Sequence, residues 1–355
     1  MIEVDNLVKY YGDFAAIEGV TFSVSEGEVV GFLGPNAAGK TTTMRIITCF
    51  MPATGGNVRV AGHDAFRDPM KVRKMIGYLP ENVPLYTEMT VRSYIDFMAK
   101  IRGVGRDTRH QRIDMVIEAC GLERFRDVLI GKLSKGYRQR VGLAQSLVHN
   151  PPVLILDEPT IGLDPKQIIE IRKLIKSLGG DHTVILSTHI LPEASMICSR
   201  IIIINEGTIA GTVTLKEGKV ATIESRITGE VVDLEKSSNI YIKVQGPTDK
   251  VLSRLRLSPQ ISDVRLESEM DGLGTYIVTH ETDIDIRAEL TSMIVYSGWN
   301  LLELRLVEMT LEEAFLELIR EKATADTEDQ QDEDQNEDLV QSDDDQAAQD
   351  EEKEV

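Results

Sequence analysis

Apolar residues recur in three rhythms along the chain, and each predicts a different architecture. In the first 33 residues the rhythm is short and β-branched. Residues 2–8 and 17–24 alternate in part and read as strands, with turn signals at Gly12-Asp13 and Glu26-Gly27. Residues 28–33 form a more continuous apolar strand that runs straight into Gly34, and 41–50 then carry helical spacing. From 90 to 150 the period lengthens: 90–101, 111–120 and 134–148 predict a mostly helical insert. Two apolar runs of buried-strand type follow at 153–156 and 184–186, with a helix near 166–178 between them. That alternation predicts a mainly parallel α/β sheet.

Beyond residue 206 the rhythm changes again. Residues from about 206 to 236 are turn-rich and polar and read as a connector. Strands at 240–244, 263–267, 276–279 and 301–307, with helices at 249–255 and 283–297, give the order βαββαβ of a small ferredoxin-like α+β domain. A helix at 310–321 closes it, with Thr310 and Glu313 spaced as a capping box. The predicted organisation is an α/β domain over 1–215 with a helical subdomain at about 85–150, a connector at 216–236, an α+β domain at 237–322, and an acidic tail at 323–355. The tail is rich in Asp, Glu, Gln and Ser, lacks aromatics and reads as disordered.

Composition changes this picture in one respect. The tail carries −14 of the chain's net charge of −19, so the preceding 322 residues carry only −5. The acidity belongs to the tail, and the folded part has no electrostatic footprint for nucleic acid. Cys49, Cys120 and Cys198 follow no metal-ligand spacing and read as free thiols in a reducing compartment. The first residues lack the basic and apolar regions of a signal peptide. No run approaches the roughly 20 apolar residues of a membrane helix. A role at a membrane would therefore need another chain to cross the bilayer.

The chemistry is concentrated in a few motifs. Gly34-Pro35-Asn36-Ala37-Ala38-Gly39-Lys40-Thr41 matches G-x-x-x-x-G-K-[ST] in the required strand–loop–helix context. Glycines let backbone N–H groups curl around phosphate oxygens, Lys40 is spaced to reach the β- and γ-phosphates, and Thr41 to bind Mg²⁺. Thr42 and the start of the following helix add N-terminal helix donors. The apolar run 153–156 ends in Asp157-Glu158, two carboxylates at the C-terminal end of a strand, where α/β sheets place their ligands. Asp157 is placed to face Mg²⁺, and Glu158 to orient or deprotonate an attacking water.

In order and spacing these motifs strongly resemble the nucleotide-binding subunit of ABC transporters over about residues 2–215. The resemblance implies a P-loop NTPase fold: a RecA-like core with an antiparallel β subdomain and a helical insert. Gly34–Thr41 resembles the Walker A loop, and 153–157 Walker B. Leu133-Ser134-Lys135-Gly136-Tyr137-Arg138-Gln139-Arg140 resembles the ABC signature, Gly162-Leu163-Asp164 the D-loop, and Ser187-Thr188-His189 the switch-histidine loop. By resemblance Glu158 is the catalytic base, His189 contacts the γ-phosphate and Tyr11 stacks on adenine, with Tyr10 as its rival. Ser134 and Gly136 would contact ATP held by a second ATP-binding subunit, which implies a head-to-tail dimer, and Asp164 of the D-loop is a further nucleotide-binding residue. Ser134 equally fits a plain helix N-cap.

Three departures stand out. Ala37 replaces the usual Gly, costing little at negative φ and roughly 1 kcal/mol or more at positive φ. Glu81 takes the place of the Q-loop glutamine and could ligate Mg²⁺. Lys135 and Tyr137 alter the signature. The strings around Tyr78–Tyr86 and Ser134–Arg140 are most similar to ABC-2-type ATPases related to gliding-motility transporters. This implies an ATPase on the cytoplasmic face of the membrane, powering export through a separate transmembrane permease. Other classes are a soluble ABC ATPase acting on ribosomes or DNA, and a nucleotide sensor without turnover.

Overall fold

The computed structural model describes residues 1–234, 237–270, 272–281, 285–307 and 309–322. The predicted disordered tail lies outside the described residues, as does Asp283, the predicted start of a helix.

The chain opens with the hairpin β1 (Ile2–Tyr11) and β2 (Phe14–Val24), then β3 (Val29–Leu33) and α1 (Lys40–Ile47). The segment from 55 to 79, for which the sequence reading assigned no elements, forms β4 (Gly55–Val60), β5 (His63–Asp64), α2 (Pro69–Met75) and β6 (Ile76–Leu79). The expected helical insert follows as α3 (Val91–Ile101), α4 (Arg106–Ala119) and α5 (Lys135–Leu147). Helix α4 begins five residues before its apolar period because the stretch 106–112 is almost wholly charged or polar. Next come β7 (Val153–Asp157), α6 (Pro165–Leu178), β8 (Thr183–Thr188), α7 (Leu191–Ile197) and β9 (Arg200–Asn205).

Strands β9, β3, β8, β7 and β6 lie side by side and parallel. Both faces of this sheet are buried, which is why its strands read as continuous apolar runs. Val30, Phe32, Ile155 and Ile185 pack toward α1 and the antiparallel sheet β2-β1-β4-β5, while Leu33, Leu156, Val184 and Leu186 pack toward the helical insert. This is a P-loop NTPase core with an antiparallel β subdomain and a helical insert.

The connector reading of 216–236 is corrected. β10 (Thr208–Lys216), β11 (Lys219–Ser225) and β12 (Val231–Asp233) extend the central sheet antiparallel beyond β9. The turn signals were hairpin turns: Glu206-Gly207 and Glu217-Gly218 all have positive φ, as two-residue hairpins require. The polar residues are the solvent side of alternating strands, with Ala210, Val213, Leu215 and Ile223 buried.

The predicted βαββαβ order is realised as β13 (Ser237–Gln245), α8 (Thr248–Arg256), β14 (Ile261–Met270), β15 (Leu273–Glu281), α9 (Arg287–Tyr296) and β16 (Asn300–Val307). Their antiparallel order β14-β15-β13-β16 is that of a ferredoxin-like sheet with its own core of Ile240, Ile242, Val251, Tyr276 and Leu290. The last helix, over 311–322, does not join that core. Leu311, Ala314 and Leu318 are buried with Val213, Leu215 and Ile223 of the large sheet. Ser225 Oγ donates to Glu321 Oε2 at 2.6 Å, and Lys322 Nζ donates to the Asn205 carbonyl at 2.7 Å. Among the described residues no helix is long and apolar enough to cross a membrane.

Candidate nucleotide site

The loop between β3 and α1 has its shape because two glycines leave no room for a side chain. A Cβ on Gly34 would stand 2.2 Å from the Ile204 carbonyl oxygen. Gly39 has φ 103°, and a Cβ there would stand 2.8 Å from the Ala16 carbonyl oxygen. Ala37 takes φ 66°, so the substitution falls on left-handed backbone, the costly case. Of the other loop residues Pro35 is exposed and Ala38 is buried; neither lines the cleft described below.

Lys40 is buried, and its Nζ donates back to the carbonyls of Gly34 at 2.7 Å and Pro35 at 2.9 Å. One of its three donor hydrogens is thus left for an incoming anion. Burial lowers the Lys40 pKa, while the charges of Glu158, Asp157 and Glu81 oppose that shift.

Asp157 ends β7 in the same layer. Its Oδ1 accepts from Ser187 Oγ at 2.5 Å and lies 3.4 Å from Thr41 Oγ1. Its Oδ2 is buried with no hydrogen-bond partner. An orphaned carboxylate oxygen beside a threonine hydroxyl is a donor set that fits a hard cation such as Mg²⁺. Among the described residues no group of three or more His, Cys, Asp or Glu could hold a metal. A cation here would therefore be shared with phosphate oxygens, as Mg²⁺ commonly is.

Glu158 follows with φ 48°, another left-handed residue. The ladder between β7 and β8 ends at Asp157 opposite Ser187, and Glu158 N donates once more to Ser187. The Glu158 carboxylate faces His189 Nδ1 at 2.9 and 3.0 Å. Burial raises the Glu158 pKa; the hydrogen bond and charge of His189 and the charge of Lys40 oppose this, and Asp157 adds to it. A buried carboxylate with elevated basicity beside a half-exposed imidazole can accept a proton from water.

Lys40, Thr41, Glu158 and His189 open into one cleft of about 590 Å³; Asp157 is buried behind them and does not line it. Asn36, Ala37, Gly39, Lys40, Thr41, Thr42, Glu81, Glu158 and His189 line it, together with Tyr11. Tyr10, the rival of Tyr11, does not; its hydroxyl lies 3.3 Å from Glu18 Oε1. Sequence reasoning missed Phe14, Ala16 and Ile161, which also line the cleft. Phe14 is Tyr11's partner across the β1–β2 turn and is 65% exposed. The Gly12-Asp13 turn signal contained that pairing, since a two-residue turn sets flanking residues opposite each other.

Ser134, Gly136 and Asp164 do not line this cleft. Ser134 is the N-cap of α5, yet its side chain makes no cap bond and is exposed. Gly136 is covered by Gln167, whose Oε1 would lie 2.1 Å from a Cβ there. Asp164 caps α6 by accepting from Gln167 N at 2.9 Å. Lys135 lies along Gly162, its Nζ 2.2 Å from where a Cβ on that glycine would stand. The signature and D-loop segments therefore make one patch.

Comparison with known proteins identifies the family. The family described as ABC transporter matches residues 17–161. The chain is 31% identical over 321 residues to the linearmycin resistance ATP-binding protein LnrL of Bacillus subtilis (strain 168), covering 90% of this chain and 98% of that protein. It is likewise 31% identical to the bacitracin transport ATP-binding protein BcrA of Bacillus licheniformis, covering 90% and 97%. Among solved structures, a dimeric post-hydrolysis state of the ATP-binding cassette MJ0796 with ADP and Pi aligns with TM-score 0.57 and 28% identity, over 61% of this chain and 99% of that one. The chain belongs to the ATP-binding subunits of ABC transporters, ATPases that power transport.

Proposed function

We propose that Gly34–Thr42 cradles the phosphates of ATP, that Glu158 is the general base, and that His189 and Lys40 engage the γ-phosphate. One observation carries this reading: Lys40, Thr41, Asp157, Glu158 and His189, drawn from three separate strand ends, converge on one region in which Asp157 Oδ2 lacks a partner. Mg²⁺ would be held by Thr41 and Asp157, with Glu81 at the cleft wall, and would neutralise phosphate charge. Lys40 exchanges its carbonyl contacts for phosphate oxygens. Glu158 exchanges its contact with His189 for the attacking water, and burial keeps it basic enough to take the proton. Tyr11, with Phe14 opposite, stacks on adenine.

The patch of exposed Ser134 and Asp164, with Gly136 buried beneath Gln167, completes the site of a second ATP-binding subunit, so two copies pair head to tail. A groove of about 600 Å³ lined by Pro80, Val83, Leu85, Tyr86, Phe97 and Met98 is the seat for a separate transmembrane permease. A chain seated there would work from the cytoplasmic face of the membrane. The relatives named for linearmycin resistance and bacitracin transport support export. The strings at 78–86 and 134–140 support the ABC-2, gliding-motility-like subgroup. As domains we propose 1–234 together with the helix 311–322, and 237–307 as the accessory unit.

The test is ATPase turnover of the full chain recovered from solubilised membranes, wild type against Glu158→Gln. Copurification with a multi-span protein and loss of turnover in the variant are expected. Recovery with ribosomes or DNA instead, or unchanged turnover, contradicts the proposal.

A further inference from the structure

Four residues after His189 a carboxylate is buried that the chemistry above does not use. Glu193 on α7 is 1% exposed. Its Oε2 accepts from Thr160 Oγ1 at 2.5 Å, and its Oε1 accepts from Arg172 Nη2 at 2.9 Å. Thr160 is itself buried and lies two residues after Glu158. A carboxylate is kept out of water only when it is paired and hydrogen-bonded, and Glu193 is both.

The placement of this cluster is informative. The β7–β8 ladder ends at Asp157 and Ser187, and beyond it the two segments are free to diverge. The Thr160–Glu193 bond joins them again. The Glu158–His189 contact therefore sits between two clamps, the ladder on one side and Glu193 on the other. Arg172 brings in α6, whose N-cap is Asp164 and whose Glu170 is ion-paired with Arg140 of the signature helix α5.

We propose that Thr160, Glu193 and Arg172 form a positioning relay that sets the spacing of Glu158 and His189 and couples it, through α6, to the surface where the second subunit docks. The proposal rests on the roles assigned above to Glu158 and His189. None of the three relay residues touches substrate. Docking that shifts Asp164 moves α6, and with it Arg172 and the carboxylate that holds α7 in place.

The test uses the full chain and measures ATP KM and kcat separately. Thr160→Val removes the hydroxyl donor at nearly constant shape. Thr160→Ser keeps it. Glu193→Gln keeps an acceptor but removes the charge. Thr160→Val and Glu193→Gln are expected to lower kcat about tenfold or more with KM changed less than about twofold, and Thr160→Ser to stay near wild type. On a His189→Ala background, Thr160→Val should cost nothing further, because residues acting through one another are not additive. A loss of equal size in both backgrounds, a rise in KM without loss of kcat, or wild-type turnover in Thr160→Val overturns the relay. If Thr160→Val does not fold, Glu193→Gln carries the same comparison. Glu158→Gln alone separates the two readings. If it keeps wild-type turnover, the site assignment and the relay fall together. If it loses turnover while Thr160→Val and Glu193→Gln keep it, the relay alone falls.

Discussion

Lys40, Asp157 and Glu158 are buried and bonded within their own chain, whereas Ser134 stands exposed at the start of α5 with no side-chain cap bond to its own helix. The first region is ordered before any nucleotide arrives: Lys40 is held by carbonyls, Asp157 by Ser187, and Glu158 by His189. The second keeps its helix-start donors and hydroxyl unspent. A surface whose hydrogen-bonding capacity is unused in the monomer is suited to an anion presented by another molecule. On the proposed reading the contrast separates binding from turnover: one chain would bind ATP, and a second chain would supply what starts the reaction.

The sharpest test of that separation is Glu158→Gln. It should lower kcat by about 10²–10⁴-fold, the usual contribution of a general base, while nucleotide affinity is kept. Titration of a fluorescent ATP analogue alongside steady-state turnover would show both. Ser134→Ala should leave the affinity of the separate subunit unchanged and lower dimer turnover by about tenfold, on the order of one charge-assisted hydrogen bond. Weaker ATP binding by the monomeric Ser134→Ala chain would break the comparison outright.

Acid should also act unequally on the two regions. His149, just beyond the C-terminal end of α5, places Nε2 3.2 Å from the Ile76 carbonyl, and its buried Nδ1 has no partner. Burial, with the charges of Arg102 and Arg112, lowers its pKa from 6.5 to about 4. A depressed folded value means the stabilisation is complete above 6.5 and is lost as pH falls toward about 4. Hydrogen exchange at α5 should therefore rise in that window before exchange at β3 and β8, and His149→Gln should flatten the dependence.

The smallest expected effect lies within the phosphate loop. Ala37→Gly relieves left-handed strain but gives the unfolded chain more freedom, for a net gain of about 0.5–1 kcal/mol. Thermal unfolding would show it. A loss of stability would mean that the loop relaxes away from φ 66°.

Much of the cleft was legible because its chemistry is local in the chain. A strand, a glycine loop and a helix are adjacent in sequence, and Asp157-Glu158 and His189 each end an apolar run. The sign of φ at Ala37 was not legible, since the close packing of its loop, Gly34 against Ile204 and Gly39 against Ala16, is set by other segments. Phe14 was passed over because it falls between the Gly12-Asp13 turn signal and the strand read at 17–24, where no element was assigned. The 55–79 segment was missed because β4 and β5 are short and half-polar, with β4 carrying two glycines. The βαββαβ order was legible because each element is long and distinct in period. The destination of the last helix was not. Its apolar stripe of Leu311, Ala314 and Leu318 specifies burial, not which sheet provides it.

That helix has a mechanical consequence. The chain departs from the large sheet at Leu234, which is tied to Ala221, and returns to it by residue 311. The 237–307 unit is thus tethered at both ends, like a handle, to neighbouring strands of one sheet edge. At the far end of the helix Lys322 grips the turn at Asn205, and Gly207 of the same turn donates to the Ala38 carbonyl. Tension applied to the acidic extension beyond 322 would reach the phosphate loop through two hydrogen-bonded contacts, bypassing the handle altogether.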